Sequence, residues 1–236
     1  MVRTMKRLTA WLCCMALLVT LLPVAVMAAD SPLSASKFIR SGVLTLTEDT
    51  QLSAFGAALR TKGKYTLDLN GHVLSGPEAP YISVGTGVTL TILDSAGGGE
   101  IRGIETGTCM IDVQWGGKLV LESGTLTGHT STTKGGAIYN AGTVEIKGGT
   151  ISDNTAHMGG GIFVEENSTT LISGGVITGN VSTRRGGAIS TAERNLPDES
   201  VYPVVEITGG DITGNKTMER GATLYLHTTK LSISGG

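Results

Sequence analysis

The segments VEIKGGTISDN (residues 144–154), LISGGVITGN (171–180) and VEITGGDITGN (205–215) are variants of one short phrase, and that phrase decides the fold. Its Gly-Gly pair begins at residues 148, 174, 209 and 235, at spacings of 26, 35 and 26. The long interval contains an acidic, proline-bearing stretch, Ala192 to Pro203, which we interpret as a loop inserted into one repeat. A period of this length indicates a solenoid in which each repeat stacks on the next.

A second element recurs between these phrases, as Gly-Gly-Ala-Ile at 135–138 and 186–189, Gly-Gly-Gly-Ile at 159–162 and Gly-Ala-Thr-Leu at 221–224. Apolar residues alternate within each segment, which indicates strands with one buried face. We therefore predict an all-β fold, a right-handed parallel β-helix with three short strands in each coil of about 23–27 residues. The predicted inward columns are Leu121, Ile146, Ile172, Ile207 and Ile233; Leu126, Ile151, Ile177 and Ile212; and Ile138, Ile162, Ile189 and Leu224.

Glycine and asparagine are expected at the corners between strands. Gly149, Gly175 and Gly210 close the Gly-Gly pairs, where a sharp turn needs positive φ or the absence of a side chain. A column of Asn154, Asn180 and Asn215 is interpreted as structural, because asparagine tolerates the left-handed region and its amides can form a ladder along the stack. His129 takes the same place one coil earlier.

The first residues have the layout of a signal peptide. Three cations, Arg3, Lys6 and Arg7, precede an apolar run from Leu8 to Val26, and small residues follow. We predict a leader at residues 1–28, secretion or display at a bacterial cell surface, and no membrane insertion after cleavage. Loss of the three cations moves the formal net charge from −2 to −5, which argues against a nucleic-acid partner. The mature chain keeps one cysteine, Cys109, so packing rather than an intramolecular disulfide must stabilise it.

The domain prediction divides the rest of the chain in two. Residues 29–60 are expected to form an N-terminal cap and first strand, with a short helix around residues 53–60. Residues 61–236 are expected to form the coils. The last coil stops at Gly235-Gly236, before its third strand, so the sequence is interpreted as truncated at its C-terminus.

Two resemblances extend this interpretation. The Gly-Gly-Ala-Ile element together with Ile-x-x-Asn, at 151–154, 177–180 and 212–215, resembles the repeats of polymorphic outer-membrane proteins and related bacterial adhesins, which usually carry Phe where this chain has Ile. The segments LDLNGH (67–72) and TILDS (91–95) are similar to secreted bacterial proteins of the pectin-lyase-like β-helix superfamily. These resemblances imply the β-helix architecture, but that superfamily includes adhesins, hydrolases and lyases.

No catalytic, metal or cofactor site is predicted. Glu145 and Glu206 share an outward column with Leu171 between them, at about 10 Å, which is somewhat beyond the separations that glycosidases use. The four histidines have no metal-ligand spacing.

The candidate binding feature is a column of outward aromatic residues. If Ile138, Ile162, Ile189 and Leu224 point inward, their successors Tyr139, Phe163, Ser190 and Tyr225 point outward. Aromatic faces could stack against sugar rings, or simply cover the sheet or pack under the 192–203 loop. Arg184 and Arg185, with Lys134 near the equivalent corner, form a small basic edge that could meet an acidic glycan or only maintain solubility.

Three functions remain open from the sequence. The favoured one is a non-enzymatic, adhesin-like surface protein that binds an extracellular polysaccharide or a host or microbial surface protein. The others are a polysaccharide lyase or hydrolase of the pectin-lyase-like type and a purely structural spacer.

Overall fold

The computed structural model describes residues 42–52, 56–105, 107–193, 198–219 and 223–235. Their strands are stacked as a parallel β-solenoid of seven coils, with three strands in each coil. The predicted all-β parallel β-helix is therefore confirmed. The predicted leader, residues 1–28, lies outside the described residues.

Three faces run along the solenoid. Face 1 contains β1 Val43–Thr45, β4 Gly63–Asp68, β7 Val88–Leu93, β10 Lys118–Leu121, β13 Thr143–Ile146, the first halves of β17 Thr169–Thr178 and β20 Val204–Thr213, and β23 Lys230–Ile233. Face 2 contains β2 Thr50–Gln51, β5 Val73–Ser75, β8 Glu100–Arg102, β11 Thr125–Thr127, β14 Thr150–Ser152 and the second halves of β17 and β20. Face 3 contains β3 Ala57–Leu59, β6 Ile82–Val84, β9 Ile111–Val113, β12 Ile138–Asn140, β16 Ile162–Val164, β19 Ile189–Thr191 and β22 Leu224–Tyr225.

A short three-stranded sheet, which lies outside the three faces, was not predicted. It consists of β15 Thr155–Met158, β18 Val181–Arg185 and β21 Lys216–Thr217, and it follows the asparagine corner in the later coils. In the described part of the inserted loop, Glu199–Val201 form a 3-10 turn, η1. Thr169 on β17 pairs with Val204 on β20, so the coils return to register after the 35-residue interval.

The register places like residues on like residues. Leu121, Ile146, Ile172, Ile207 and Ile233 pair in order along face 1, and the predicted inward columns of faces 2 and 3 also pair as expected. Apart from Ile233, these columns and their N-terminal continuations form one apolar core in which most side chains have almost no exposed surface. Ile233 pairs in its column but is 58% exposed, so the prediction that it joins the core is wrong. Burial of this surface is the main favourable term in the stability of the fold.

The predicted short helix around residues 53–60 is wrong for its described part. Residues 57–59 form strand β3, which pairs in parallel with β6. Ala57 and Leu59 point into the core against Ile82 and Val84, so burial of alternate side chains outweighs the helix preference of alanine. Strands β1, β2 and β3 together form a complete coil within the segment that was assigned mainly to a cap.

Candidate functional site

The outward column of face 3 holds the predicted aromatic residues. Strand pairing places its members in the order Ala58, Ser83, Asp112, Tyr139, Phe163, Ser190 and Tyr225. Tyr139 therefore lies between Asp112 and Phe163, one coil from each.

Phe163 does not offer a surface to a ligand. Its side chain has 0% exposed area, and its ring stacks on that of Tyr139 with a centroid distance of 5.8 Å and an interplanar angle of 10°. The Lys134 ammonium lies 4.4 Å from the centre of the Phe163 ring. The expectation of three open aromatic faces is wrong here, because neighbouring side chains cover the ring that lies in the middle of the predicted column.

Tyr225 and Arg185 interact with each other. The Arg185 guanidinium lies 4.7 Å from the centre of the Tyr225 ring, and it also forms an ion pair with Glu193. Only 14% of the Arg185 side chain is exposed, so its charge is already partnered within the fold. Arg184 is the neighbouring residue of β18, and successive side chains of a strand point in opposite directions.

The predicted basic edge forms a column along the stack, and the two cations at its ends have ion-pair partners. In the strand pairing of successive coils, Lys134 lies beside Met158, and Met158 lies beside Arg185. The Lys134 ammonium donates to Glu165 Oε1 over 2.8 Å. Two of the three predicted cations therefore have carboxylate partners, which weakens the case for an acidic glycan at this edge.

Glu165 connects the cation and the aromatic column. Its Oε1 accepts hydrogen bonds from Lys134 Nζ at 2.8 Å and from Tyr139 Oη at 2.9 Å. Burial raises the pKa of Glu165, but the two donors outweigh it and the net pKa is lowered, so the carboxylate stays ionised. Burial raises the pKa of Tyr139, and acceptance by Glu165 raises it further, so the phenol stays protonated and holds its ring in place.

A groove of about 340 Å³ opens beside Tyr139. It is lined by Pro80, Thr108, Cys109, Asp112, Thr133, Lys134 and Tyr139. Asp112 Oδ2 accepts a hydrogen bond from Gln114 Nε2 at 3.2 Å. Burial, and to a smaller extent the Asp112 charge, raises the pKa of Cys109 to about 12, so this thiol is not a nucleophile at neutral pH.

Three acidic residues of this site were not predicted from the sequence: Asp112, Glu165 and Glu193. Asp112 follows Ile111, which pairs with Ile138, so extending the Ile138 column back by one coil could have found it. No sequence pattern would have indicated Glu165 or Glu193, because they lie beyond the ends of β16 and β19, where the alternation of buried and exposed residues stops.

The asparagine column forms a hydrogen-bonded ladder. Asn154 Nδ2 donates to Asn180 Oδ1 at 3.0 Å, and Asn180 Nδ2 donates to Asn215 Oδ1 at 2.9 Å. The same two oxygens also accept from the backbone N–H groups of Asn154 and Asn180. These asparagines do not take the left-handed conformation that was expected, which falls instead on the residue before each, Asp153, Gly179 and Gly214.

The Gly-Gly corners have the predicted geometry. Gly149, Gly175 and Gly210 have φ values of 72°, 82° and 87°. A Cβ atom at Gly175 would lie 2.7 Å from the carbonyl oxygen of Gly148 in the preceding coil. The corner therefore excludes a side chain by both conformation and contact.

Glu145 and Glu206 lie on either side of Leu171, as their column predicts. Lys118 Nζ donates to Glu145 Oε1 at 2.6 Å, and Lys147 Nζ lies 3.8 Å from Oε2. Glu145 is thus held by two lysines on the same face. Within the ranges that the structure describes, no group of three or more His, Cys, Asp or Glu residues could hold a metal ion. No helix in those ranges has the length and apolar character needed to cross a membrane.

Residues 174–192 match the repeat of the family described as Chlamydia polymorphic membrane protein (Chlamydia_PMP). The matched residues run from the Gly-Gly corner of β17 through the Asn180 rung and β18 to the end of β19. Comparisons with curated proteins and with solved structures found no significant match. The chain therefore carries one segment, residues 174–192, that is similar to a polymorphic membrane protein repeat within a parallel β-solenoid.

Proposed function

We propose that this protein is a non-enzymatic, adhesin-like β-solenoid of the bacterial cell surface that binds extracellular ligands along its flank. The observation that carries the proposal is the match at residues 174–192, which names a membrane-protein repeat and covers the second half of β17, β18 and β19. The signal-peptide layout of residues 1–28 supports export.

The packing of the solenoid suits a display role. The interior is filled by stacked apolar columns, so binding has to use the outer flank. The side chains around Tyr139 are held by hydrogen bonds and ion pairs, so that part of the flank is rigid before a ligand arrives. A rigid surface loses little conformational entropy on binding.

Surface exposure is tested by expressing the full chain, with an epitope inserted in the exposed turn at Trp115, in a bacterium that exports it. We expect antibody labelling of intact cells, loss of the label after external protease, and recovery of the intact chain from cells that were not treated. Labelling only after the cells are lysed would contradict the proposal.

A further inference from the structure

We propose that the groove beside Tyr139 is a binding site for one neutral pyranose ring, which stacks on the face of Tyr139 that Phe163 leaves free. This inference deepens the proposed function and rests on it for its biological setting. The groove is defined by the lining residues given above and is centred on Tyr139 and Asp112.

The stacking geometry supplies the platform. Tyr139 is half-buried, and its parallel contact with Phe163 uses the ring face on the side of β16. The opposite face lies on the side of β9, where the column neighbour is the short side chain of Asp112 and where the groove opens. A sugar ring in the groove would continue the stack of Phe163 and Tyr139, with its C–H groups against the negative π face.

The polar groups of the groove suit a ring that carries hydroxyl groups. The Asp112 carboxylate can accept hydrogen bonds from sugar hydroxyls, while Gln114 donates to one of its oxygens. Thr108 and Thr133 also line the groove, and each carries a hydroxyl group that can donate or accept a hydrogen bond. A volume of about 340 Å³ is at the small end of ligand pockets, which fits one ring better than a chain of several.

The charges decide between neutral and acidic sugars. Among the described residues that line the groove, Lys134 is the one cation, and Glu165 already neutralises it at 2.8 Å. Asp112 therefore leaves the groove with a net negative charge. A uronic acid would place a second carboxylate near Asp112, so we expect neutral hexoses to bind at least tenfold more tightly than glucuronate.

The test uses the protein from residue 29 to the end and the methyl glycosides of glucose, galactose, mannose and N-acetylglucosamine as probes, with glucuronate and choline as comparisons. Affinities are measured by calorimetry, and NMR with selective saturation of the assigned Tyr139 ring protons, in otherwise deuterated protein, detects transfer from that ring to the sugar. We expect transfer from Tyr139 in the wild-type protein.

Four variants separate the platform from its surroundings. Tyr139→Leu and Asp112→Ala should each weaken the best sugar at least tenfold. Tyr139→Phe keeps the ring but loses the hydrogen bond to Glu165 that holds it in place, so its affinity should fall, but by less than that of Tyr139→Leu. Tyr225→Leu should leave the affinity for the sugar unchanged, because Arg185 lies over the Tyr225 ring.

Sugar binding that survives Tyr139→Leu in a folded variant would overturn the inference, as would tighter binding of choline or glucuronate than of every neutral sugar. If Tyr139→Leu fails to fold, absence of saturation transfer from Tyr139 in the wild-type protein overturns it instead. Sugar binding mapped elsewhere on the flank would overturn this site and leave the proposed function standing. Failure of cell-surface labelling would remove the proposed function and leave this site to be judged by the titrations.

Discussion

At the scale of single residues, the amide ladder holds successive coils together at one corner. Asn180 has no exposed surface, and its side chain bonds to Asn154, Asn215 and the backbone carbonyls of Ile151 and Thr178. An alanine here would leave several buried backbone and amide groups without partners. Each such group costs about 1–3 kcal/mol.

We therefore expect Asn180→Ala to lower the free energy of unfolding by about 3 kcal/mol, measured by denaturant titration. Asn215→Ala is the matched control, because Asn215 donates to the equivalent carbonyls of Ile177 and Thr213 but is only partly buried. Asn215→Ala should lower the free energy of unfolding by a clearly smaller amount. Equal losses in the two variants would show that burial does not set the strength of the ladder.

His129 replaces asparagine at the same corner and brings a titratable group into it. Its Nδ1 accepts from the Ile104 N–H at 3.2 Å, and its Nε2 bonds to the Thr108 carbonyl oxygen. Burial lowers the pKa of His129 below 6.5, although the bond to Thr108 opposes part of this shift. In the unfolded chain the imidazole therefore binds its proton more tightly than in the folded protein.

The contribution of His129 to stability is thus present above pH 6.5 and is lost as the pH falls through the lowered pKa of the folded state. His129→Asn removes the titration and keeps an acceptor for Ile104. We expect the wild-type protein to lose stability relative to this variant between pH 7.5 and pH 5, in denaturant titrations at each pH. Parallel stability curves would refute the role of His129.

At the scale of elements, the corners between strands depend on the close approach of consecutive coils. Gly175 and Gly128 both have positive φ, at 82° and 71°. A Cβ at Gly175 would meet backbone atoms of the preceding coil within 3.0 Å, whereas one at Gly128 would meet nothing within 4 Å. Substituting these two glycines therefore distinguishes the cost of a steric clash from the cost of backbone strain.

Gly128→Ala should cost only the strain of the left-handed conformation, about 1–2 kcal/mol. Gly175→Ala should cost distinctly more, because β13 and β17 would have to move apart. Thermal unfolding measured by circular dichroism checks the difference. Indistinguishable melting temperatures for the two variants would mean that the coils can separate at little cost.

Sequence periodicity predicted the elements well where the repeat is regular. The Gly-Gly pairs and alternating Ile residues were sufficient to assign the register of β10 to β20, because a slip of one residue would turn every buried side chain outward. Strand β3 was missed because Ala57 and Ala58 lack the β-branched side chains typical of a strand. The short sheet of β15, β18 and β21 was missed because these strands follow the asparagine corner without a strong alternation of apolar and polar residues.

The site was less predictable than the elements. Alternation placed Tyr139, Phe163 and Tyr225 in one outward column, but it carries no information about what covers them. The Phe163 ring is covered by Lys134 and the Tyr225 ring by Arg185, and both cations are held by carboxylate partners. The positions of these groups depend on the conformations of long side chains near the corners. Pattern reasoning therefore finds the column, whereas only side-chain geometry shows which ring face is open.

At the scale of the whole molecule, packing stabilises the described coils, whose one cysteine, Cys109, is free. Cys109 is buried, and its pKa is raised to about 12, so very little thiolate exists at pH 8. We expect its reaction with a thiol reagent to be at least about a hundredfold slower in the native protein than in denaturant. Rapid native labelling would contradict the burial of this segment.

The control for that experiment is Trp115→Cys in a Cys109→Ala background. Trp115 is 67% exposed in a turn, so a cysteine there should react at once in the folded protein. Slow reaction of both cysteines would point to the reagent rather than to the fold.

The proposed function is that of a rigid solenoid that binds a ligand on its flank and leaves the ligand intact. The most direct test is a glycan array probed with the protein from residue 29 to the end, with analysis of released products from every glycan that binds. The proposed function and the sugar site beside Tyr139 together predict retention of a neutral saccharide with no cleavage product. Release of shortened or unsaturated saccharides would contradict this in favour of an enzyme, and no binding to any glycan on the array would contradict it in favour of a spacer.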